Sequence, residues 1–292
     1  MGVLHLLYFE KFHGAGNDFI ILNGLEEKLL SLPVLAKDIC DRHFGIGADG
    51  MIVVESSKIA DIKMTFFNSD GSRAPMCGNG IRCFGKYVYD NKIVDKEVFD
   101  VETLAGIIKL EVIPSDKGIE GIRVNIGEPI FDNNKFPINT EKSIVIEESI
   151  EVNNQEFKIS ALFIGTIHAV IFVANLDEID INTIGPCIEN NSMFPEKTNI
   201  NFCEVIDNKN LKVITWERGA GLTLACGTGA AATAVISSIV NKTDNNVNVY
   251  VPGGLLKIEK TEAGVYMTGP AELICKGNYN YTNLRSDEDE KC

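Results

Sequence analysis

The sequence predicts an α+β protein of two pseudo-symmetric lobes, each a sheet wrapped around one central helix. Three observations carry this. The segment Ile52 to Gly80 aligns without a gap on Asn201 to Gly229, at a constant shift of 149 residues, the separation of Cys77 and Cys226. Short β-branched and aromatic runs bounded by Gly, Asn and Asp dominate the chain. A helical segment after each Cys-Gly-x-Gly element closes the repeat, and the second is apolar nearly all round, as a helix enclosed by sheet is.

In chain order, the strand runs are Ile52-Val-Val, Met64-Thr-Phe-Phe, Ile107-Ile-Lys-Leu, Ser143-Ile-Val-Ile, Val170-Ile-Phe-Val and Val247-Asn-Val-Tyr-Val. The helices start near Gly80-Ile-Arg-Cys-Phe-Gly-Lys-Tyr-Val and Gly229-Ala-Ala-Ala-Thr-Ala-Val-Ile. Within the repeat, Lys63-Met-Thr-Phe-Phe67 lies over Lys212-Val-Ile-Thr-Trp216, and Cys77-Gly-Asn-Gly80 over Cys226-Gly-Thr-Gly229. The match resumes one residue out of phase at Ala105 and Gly253, so a single deletion separates the blocks. One duplication of this length points to two globular lobes rather than a solenoid, with the cleft between them as the default site.

At 292 residues, 45% of them apolar, the chain can fill one large or two modest cores. It has no apolar run of about 18 residues and no charged-then-apolar leader, so the expectation is a cytoplasmic protein without a membrane partner. A net charge of −14 repels phosphate backbones, which excludes nucleic acid as the expected partner. The acidic stretch Ser286–Cys292 reads as a solvated tail. Eight cysteines without CxxC spacing argue against zinc and against a disulfide framework. Cys40, Cys187, Cys203 and Cys275 read as small buried apolar residues, whereas Cys77 and Cys226 stand where a strand meets a helix.

That station has chemical consequences. Glycines beside a helix N-terminus let backbone N–H groups approach an anion such as a carboxylate. The same end of the helix favours thiolate over thiol, so a cysteine there can act as a base. Two such stations, related by the repeat, suit inversion of an amino-acid α-carbon, with one thiolate removing the proton and the opposite thiol supplying another. This needs no cofactor and no metal.

Taken together, Phe12-His-Gly-Ala-Gly-Asn-Asp-Phe19, Phe67-Asn-Ser-Asp-Gly-Ser72, Met76-Cys-Gly-Asn-Gly80, Trp216-Glu-Arg-Gly-Ala-Gly221, Ala225-Cys-Gly-Thr-Gly229 and Pro252-Gly-Gly254 resemble the diaminopimelate epimerase family over about residues 8–281. The resemblance implies strongly curved, mostly antiparallel sheets. It places an N-terminal lobe at residues 1–118 with a strand returning at about 264–281, a C-terminal lobe at 119–263 and a tail at 282–292. Strands near Ile122–Ile126 and Tyr266–Gly269 would cross between lobes. It implies Cys77 and Cys226 as the acid/base pair, with His168 and Glu217 adjusting their protonation, while His13 is structural. The amino-acid substrate would be held by Asn17, Asn68, Asn199, Glu217 and Arg218, with backbone groups of Gly78, Asn79, Gly227 and Thr228. The implied activity is conversion of LL- to meso-diaminopimelate for lysine and cell-wall precursor synthesis, and homodimers are common in that family.

The family's histidine loop reads Gly-Asn-Pro-His, and this chain has Gly165-Thr166-Ile167-His168. Thr166 offers a hydroxyl in place of an amide to the distal end of the substrate. Racemisation of another amino acid, such as histidine, therefore stands as an alternative, as does a non-catalytic redox-responsive binding protein in which the two cysteines pair.

Overall fold

The computed structural model describes residues 4–26, 29–116 and 118–282, so the expected acidic tail lies almost wholly outside the described residues. The chain divides into two compact units, Met1–Val112 with Ala271–Cys292, and Ile113–Pro270.

The first unit carries β1 (Leu4–Gly14), β2 (Asn17–Asn23), α1 (Leu32–Cys40), β3 (Gly50–Glu55), β4 (Ile62–Asn68), β5 (Arg73–Ala74), α2 (Gly78–Asp90), β6 (Val98–Thr103) and β7 (Gly106–Ser115). Its sheet runs β1-β2-β3-β4-β6-β7, with β5 hairpinned on the end of β4. Two of these pairings, β2 with β3 and β4 with β6, are parallel. Parallel neighbours need a crossover, and α1 and α2 supply the two crossovers.

The second unit holds β8 (Gly118–Gly127), β9 (Val145–Val152), β10 (Gln155–Ile164), β11 (Thr166–Val173), α3 (Ile181–Glu189), β12 (Asn199–Asp207), β13 (Asn210–Glu217), β14 (Gly221–Thr223), α4 (Gly227–Ile239), β15 (Asn246–Val251), β16 (Gly254–Thr261) and β17 (Gly264–Gly269). Pairing here follows β9-β10-β11-β12-β13-β15-β16-β17-β8, parallel only at β11 with β12 and at β13 with β15. The order from β10 to β16 repeats the order from β1 to β7. The result is a mixed sheet, antiparallel in its majority, rather than a simple meander.

Helix α4 packs on β10, β11, β12, β13, β15, β16 and β17 of its own unit, which requires that sheet to curl around it. Every residue from Gly229 to Ser237 is buried, so the all-round apolar surface read from sequence is accounted for. On the outer face, α1 packs Leu35, Ala36 and Ile39 with Ile20, Leu22, Met51 and Val53 in the first unit. Helix α3 does the same in the second with Ile181, Ile184 and Ile188. Among the described residues no helix is long and apolar enough to cross a membrane.

The boundaries differ from those expected. The first falls between Val112 and Ile113, ahead of 118, and the second between Pro270 and Ala271. Strand β17, expected to return to the N-terminal lobe with the segment after it, instead pairs with β16 and β8 inside the second unit, so Ile122–Ile126 and Tyr266–Gly269 form one ladder. The strand that returns is β18 (Glu272–Thr282), which zips onto β1. Continuous ladder hydrogen bonding keeps β17 beside its hairpin partner, and the chain leaves that ladder only after Pro270. Two cysteines also depart from expectation: Cys187 and Cys275 are exposed. Cys187 faces outward from α3 against Asn153, and Cys275 lies on β18.

Candidate active site: two half-sites, one per unit

In the first unit Cys77 is the N-cap of α2, in extended conformation with φ −131° and ψ 124°, and its carbonyl accepts the first helical bond from Ile81 at 2.8 Å. The N–H groups of the helix's first turn have no intrahelical acceptor, which suits an anion. The half-buried Cys77 Sγ donates to Asn17 Oδ1 at 3.6 Å, and Asn79 Nδ2 donates to the same oxygen at 3.3 Å. Asn17 is aimed by Asp49, whose Oδ2 accepts its amide at 2.6 Å and the backbone of Asp18 at 3.1 Å. Among the described residues Asn68 has no bond to this cluster; its amide donates to Ser72 Oγ at 2.9 Å across the β4–β5 turn. His13, expected to be structural, accepts from Gly16 N at 3.3 Å in the β1–β2 turn.

Behind Asn17 lies an ion network that sequence reading missed. Arg42 Nη2 reaches Asp18 at 2.8 Å and Asp49 at 2.7 Å, and Lys11 Nζ meets Asp18 at 2.9 Å. Burial alone would raise the Asp18 carboxyl, but hydrogen bonds and charge from Arg42 and Lys11 outweigh it and hold it at about 2. A carboxyl depressed from 3.8 contributes stability that is fully present above about pH 4 and is lost as pH falls through 2. Asp18→Asn should therefore cost about 2 kcal/mol at pH 7, and the cost should shrink toward pH 2. Urea unfolding at pH 7 and near pH 2.5 measures both; an equal cost at the two pH values would refute the assignment.

In the second unit Cys226 is buried and is the N-cap of α4, with φ −112° and ψ 107°. Its Sγ lies 3.5 Å from Thr228 Oγ1, and its thiol hydrogen-bonds to the Glu217 carboxylate. Burial pushes the Glu217 carboxyl above the usual range, partly offset by Cys226 and by Thr223, whose hydroxyl donates at 2.6 Å. Gly165 (φ +69°) turns the chain into β11, and a Cβ there would come within 3.4 Å of the Thr228 methyl. Thr166, half-buried, thus opens its strand beside the first turn of α4. Asn199 Oδ1 accepts the backbone N–H of Arg218 at 2.8 Å, and the exposed Arg218 guanidinium spends one donor on the Glu196 carbonyl at 2.9 Å.

His168 is fully buried. Burial, with the positive charge of Arg218, holds the imidazole down at about 3, so the ring is neutral at physiological pH. Asn201 Nδ2 lies 3.3 Å from His168 Nδ1.

Glycines in the first helical turns separate the half-sites. A Cβ at Gly229 would lie 2.3 Å from Asn201 Oδ1 and 3.2 Å from Cys226 Cβ, whereas one at Gly80 would meet Cys77, Ile52 and Phe19 at an ordinary 3.4 Å. Gly229→Ala should destabilise by about 1–3 kcal/mol, since overpacking there displaces a buried amide. Gly80→Ala should stay within about 1 kcal/mol of the parent, helix propensity offsetting the tighter fit. Denaturant midpoints of the two variants test this contrast.

With the geometry in view, comparison with known proteins is informative. The family model described as diaminopimelate epimerase matches residues 9–131 and 160–274. A diaminopimelate epimerase of Caldanaerobacter subterraneus subsp. tengcongensis is 47% identical, covering 92% of this chain and 98% of its own length. One from Alkaliphilus metalliredigens is 45% identical (93% and 96%), and one from Methanothermobacter thermautotrophicus is 41% identical (93% and 98%). Among solved structures, a PhzF-family phenazine biosynthesis protein of Bacillus anthracis has a TM-score of 0.65 at 16% identity, covering 94% of this chain and 97% of its own. A hydroxyproline epimerase from Agrobacterium vitis also has 0.65, at 11% identity, with 97% and 95% covered. These last two share the fold alone. The chain belongs to the diaminopimelate epimerase family.

Proposed function

We propose that the protein is an isomerase that interconverts LL- and meso-diaminopimelate by two-base proton transfer without a cofactor. The observation that carries the reading is the repeated station of Cys77 and Cys226, each capping the helix beyond the same strand of its unit, with Cys226 hydrogen-bonded to a carboxylate. Relatives of this name, matched over more than nine-tenths of both chains, support the substrate.

In this reading the units act as pseudo-symmetric lobes, each delivering one thiol. A thiolate sulfur takes the α-proton and becomes a thiol, while the C–H electron pair stays on the α-carbon and spreads into its carboxylate. First-turn N–H groups around Gly78, Asn79, Gly227 and Thr228 stabilise that charge. The other thiol gives its proton to the opposite face, so thiol and thiolate have exchanged. Asn17, Asn68, Thr166 and Asn199 position the amino-acid groups, and Arg218 grips the distal carboxylate, for which a guanidinium offers a two-pronged donor.

Incorporation of deuterium at the α-carbon in D2O, followed by NMR for LL-diaminopimelate and a panel of L-amino acids including histidine, tests the reading. Exchange and inversion of diaminopimelate alone is expected. Exchange confined to another amino acid would keep the chemistry and replace the substrate.

A further inference from the structure

Strands β11, β12 and β13 of the second unit bury a polar cluster where the repeat-related positions of the first unit are apolar. His168 and Asn201 are 0% exposed and Thr215 3%. Asn201 Nδ2 donates to the carbonyl of Ala169 at 3.0 Å, and Thr215 Oγ1 donates to Asn201 Oδ1 at 3.0 Å. A carbonyl can only accept, so this pair of bonds fixes which end of the Asn201 amide is nitrogen. The same NH2 faces His168 Nδ1 at 3.3 Å, which makes Nδ1 an acceptor and puts the ring proton on Nε2. Nε2 is buried with no protein partner among the described residues. A buried donor left over is costly, and a purely structural core has no reason to keep one.

The duplication shows that the fold does not need this cluster. His168 pairs with Asn199 across β11 and β12 as Phe19 pairs with Gly50 across β2 and β3. Asn201 faces Thr215 across β12 and β13 as Ile52 faces Phe66 across β3 and β4. The three polar positions behind Cys226 are thus Phe19, Ile52 and Phe66 behind Cys77, where the two rings pack edge-on at 5.9 Å. The polar set is also wedged against the first turn of α4, since Asn201 Oδ1 occupies the space a side chain at Gly229 would need.

We propose that Asn201, held by Thr215 and the Ala169 carbonyl, is a positioning residue that locks His168 as the Nε2–H tautomer and serves proton transfer at Cys226 but not at Cys77. The proposal rests on the two-thiol reading of the protein's function. Asn201 touches no substrate; it acts through the ring it orients.

Two measurements test it independently. In the full-length protein labelled with 15N-histidine, His168 should show the Nε2–H tautomer. Asn201→Asp, which keeps the shape but turns the donor facing Nδ1 into an acceptor, should move the proton to Nδ1. A wild-type ring protonated on Nδ1 would overturn the lock.

The second measurement isolates each thiol with a diaminopimelate analogue carrying fluorine on the β-carbon. There a single base suffices: the thiolate takes the α-proton, the C–H pair forms the C=C bond and fluoride leaves with the C–F pair, so free fluoride counts proton abstractions. Adding Asn201→Leu should lower fluoride release about tenfold or more in the Cys77→Ala background and stay within about twofold in the Cys226→Ala background. Equal losses in both, or loss in neither, would overturn the proposal. Should Asn201→Leu fail to fold, Thr215→Val removes the bond that orients the amide and is judged by the same split. Fluoride release from neither single-thiol protein would overturn the functional reading and the Cys226 role together, while the nitrogen spectrum still decides the tautomer.

Discussion

Cys77→Ala and Cys226→Ala should each lower inversion of diaminopimelate by about 10³-fold or more, because each thiol acts once in every turnover and general acid–base groups contribute on that scale. The double variant should be little worse than either single one, since two groups that act as a unit are strongly non-additive. Stability should respond differently at the two positions. Cys77 is half-buried and its sulfur makes a long bond to Asn17 Oδ1, so alanine there should change the unfolding midpoint little. Cys226 is 7% exposed at the N-cap of a buried helix, so losing its sulfur should leave a small cavity and cost about 1 kcal/mol. Circular dichroism with urea titration, beside a stereospecific assay of meso product, separates the two effects. Inversion retained at the parental rate in either variant would refute the two-base mechanism.

The sequence made the repeat, and with it the helices bearing the cysteines, legible because both depend on local pattern. The runs at Ile52, Met64, Ile107, Val170 and Val247 lie in β3, β4, β7, β11 and β15, and the two helices after Cys-Gly-x-Gly are α2 and α4. Helices α1 and α3 were not legible. Each has nine residues, α1 begins beside Ser31 in left-handed conformation with Pro33 inside, and α3 contains Gly185 and Pro186. Without them the parallel pairings of β2 with β3 and of β11 with β12 could not be anticipated. The resemblance implies a strand returning at about 264–281, whereas ladder register keeps β17 on β16 and β8 and puts β18 alone on β1.

For the site, the cysteines and Glu217 were visible as motif residues. Asp49, Arg42, Thr223, Asn201 and Thr215 were not, since the first two come from the loop between α1 and β3 and the other three are placed by strand pairing. A signal for two of them did exist. In the aligned repeat, Ile52 stands against Asn201 and Phe66 against Thr215, a change from hydrocarbon to polar at positions that both sheets bury. Mismatches inside an otherwise matched duplication mark where the two halves have different chemical tasks.

The contrast between Glu217 and its repeat partner Asn68 leads to the second large effect. Asn68 turns to Ser72, whereas Glu217 accepts from the Cys226 thiol and from Thr223. An amide can keep the Thr223 bond but cannot take up a proton, so Glu217→Gln should lower turnover by about 10²-fold or more. Because burial raises the Glu217 carboxyl, the parent's activity should climb with pH above the ordinary carboxylate range of about 4.3, and that limb should vanish from the variant's residual activity. The sign for stability is opposite. A carboxyl whose folded value is raised favours the fold fully below its unfolded value and loses that contribution as pH rises through the folded one. Once pH exceeds the raised folded value, ionised Glu217 is therefore a burden on the fold, and Glu217→Gln at pH 7 should unfold at an equal or higher urea concentration than the parent while turning over far less substrate. Near pH 4 the difference in stability should narrow. A variant destabilised at pH 7 in step with its lost activity would show instead that Glu217 is held for packing, and the proton-accepting role at Cys226 would fall with it.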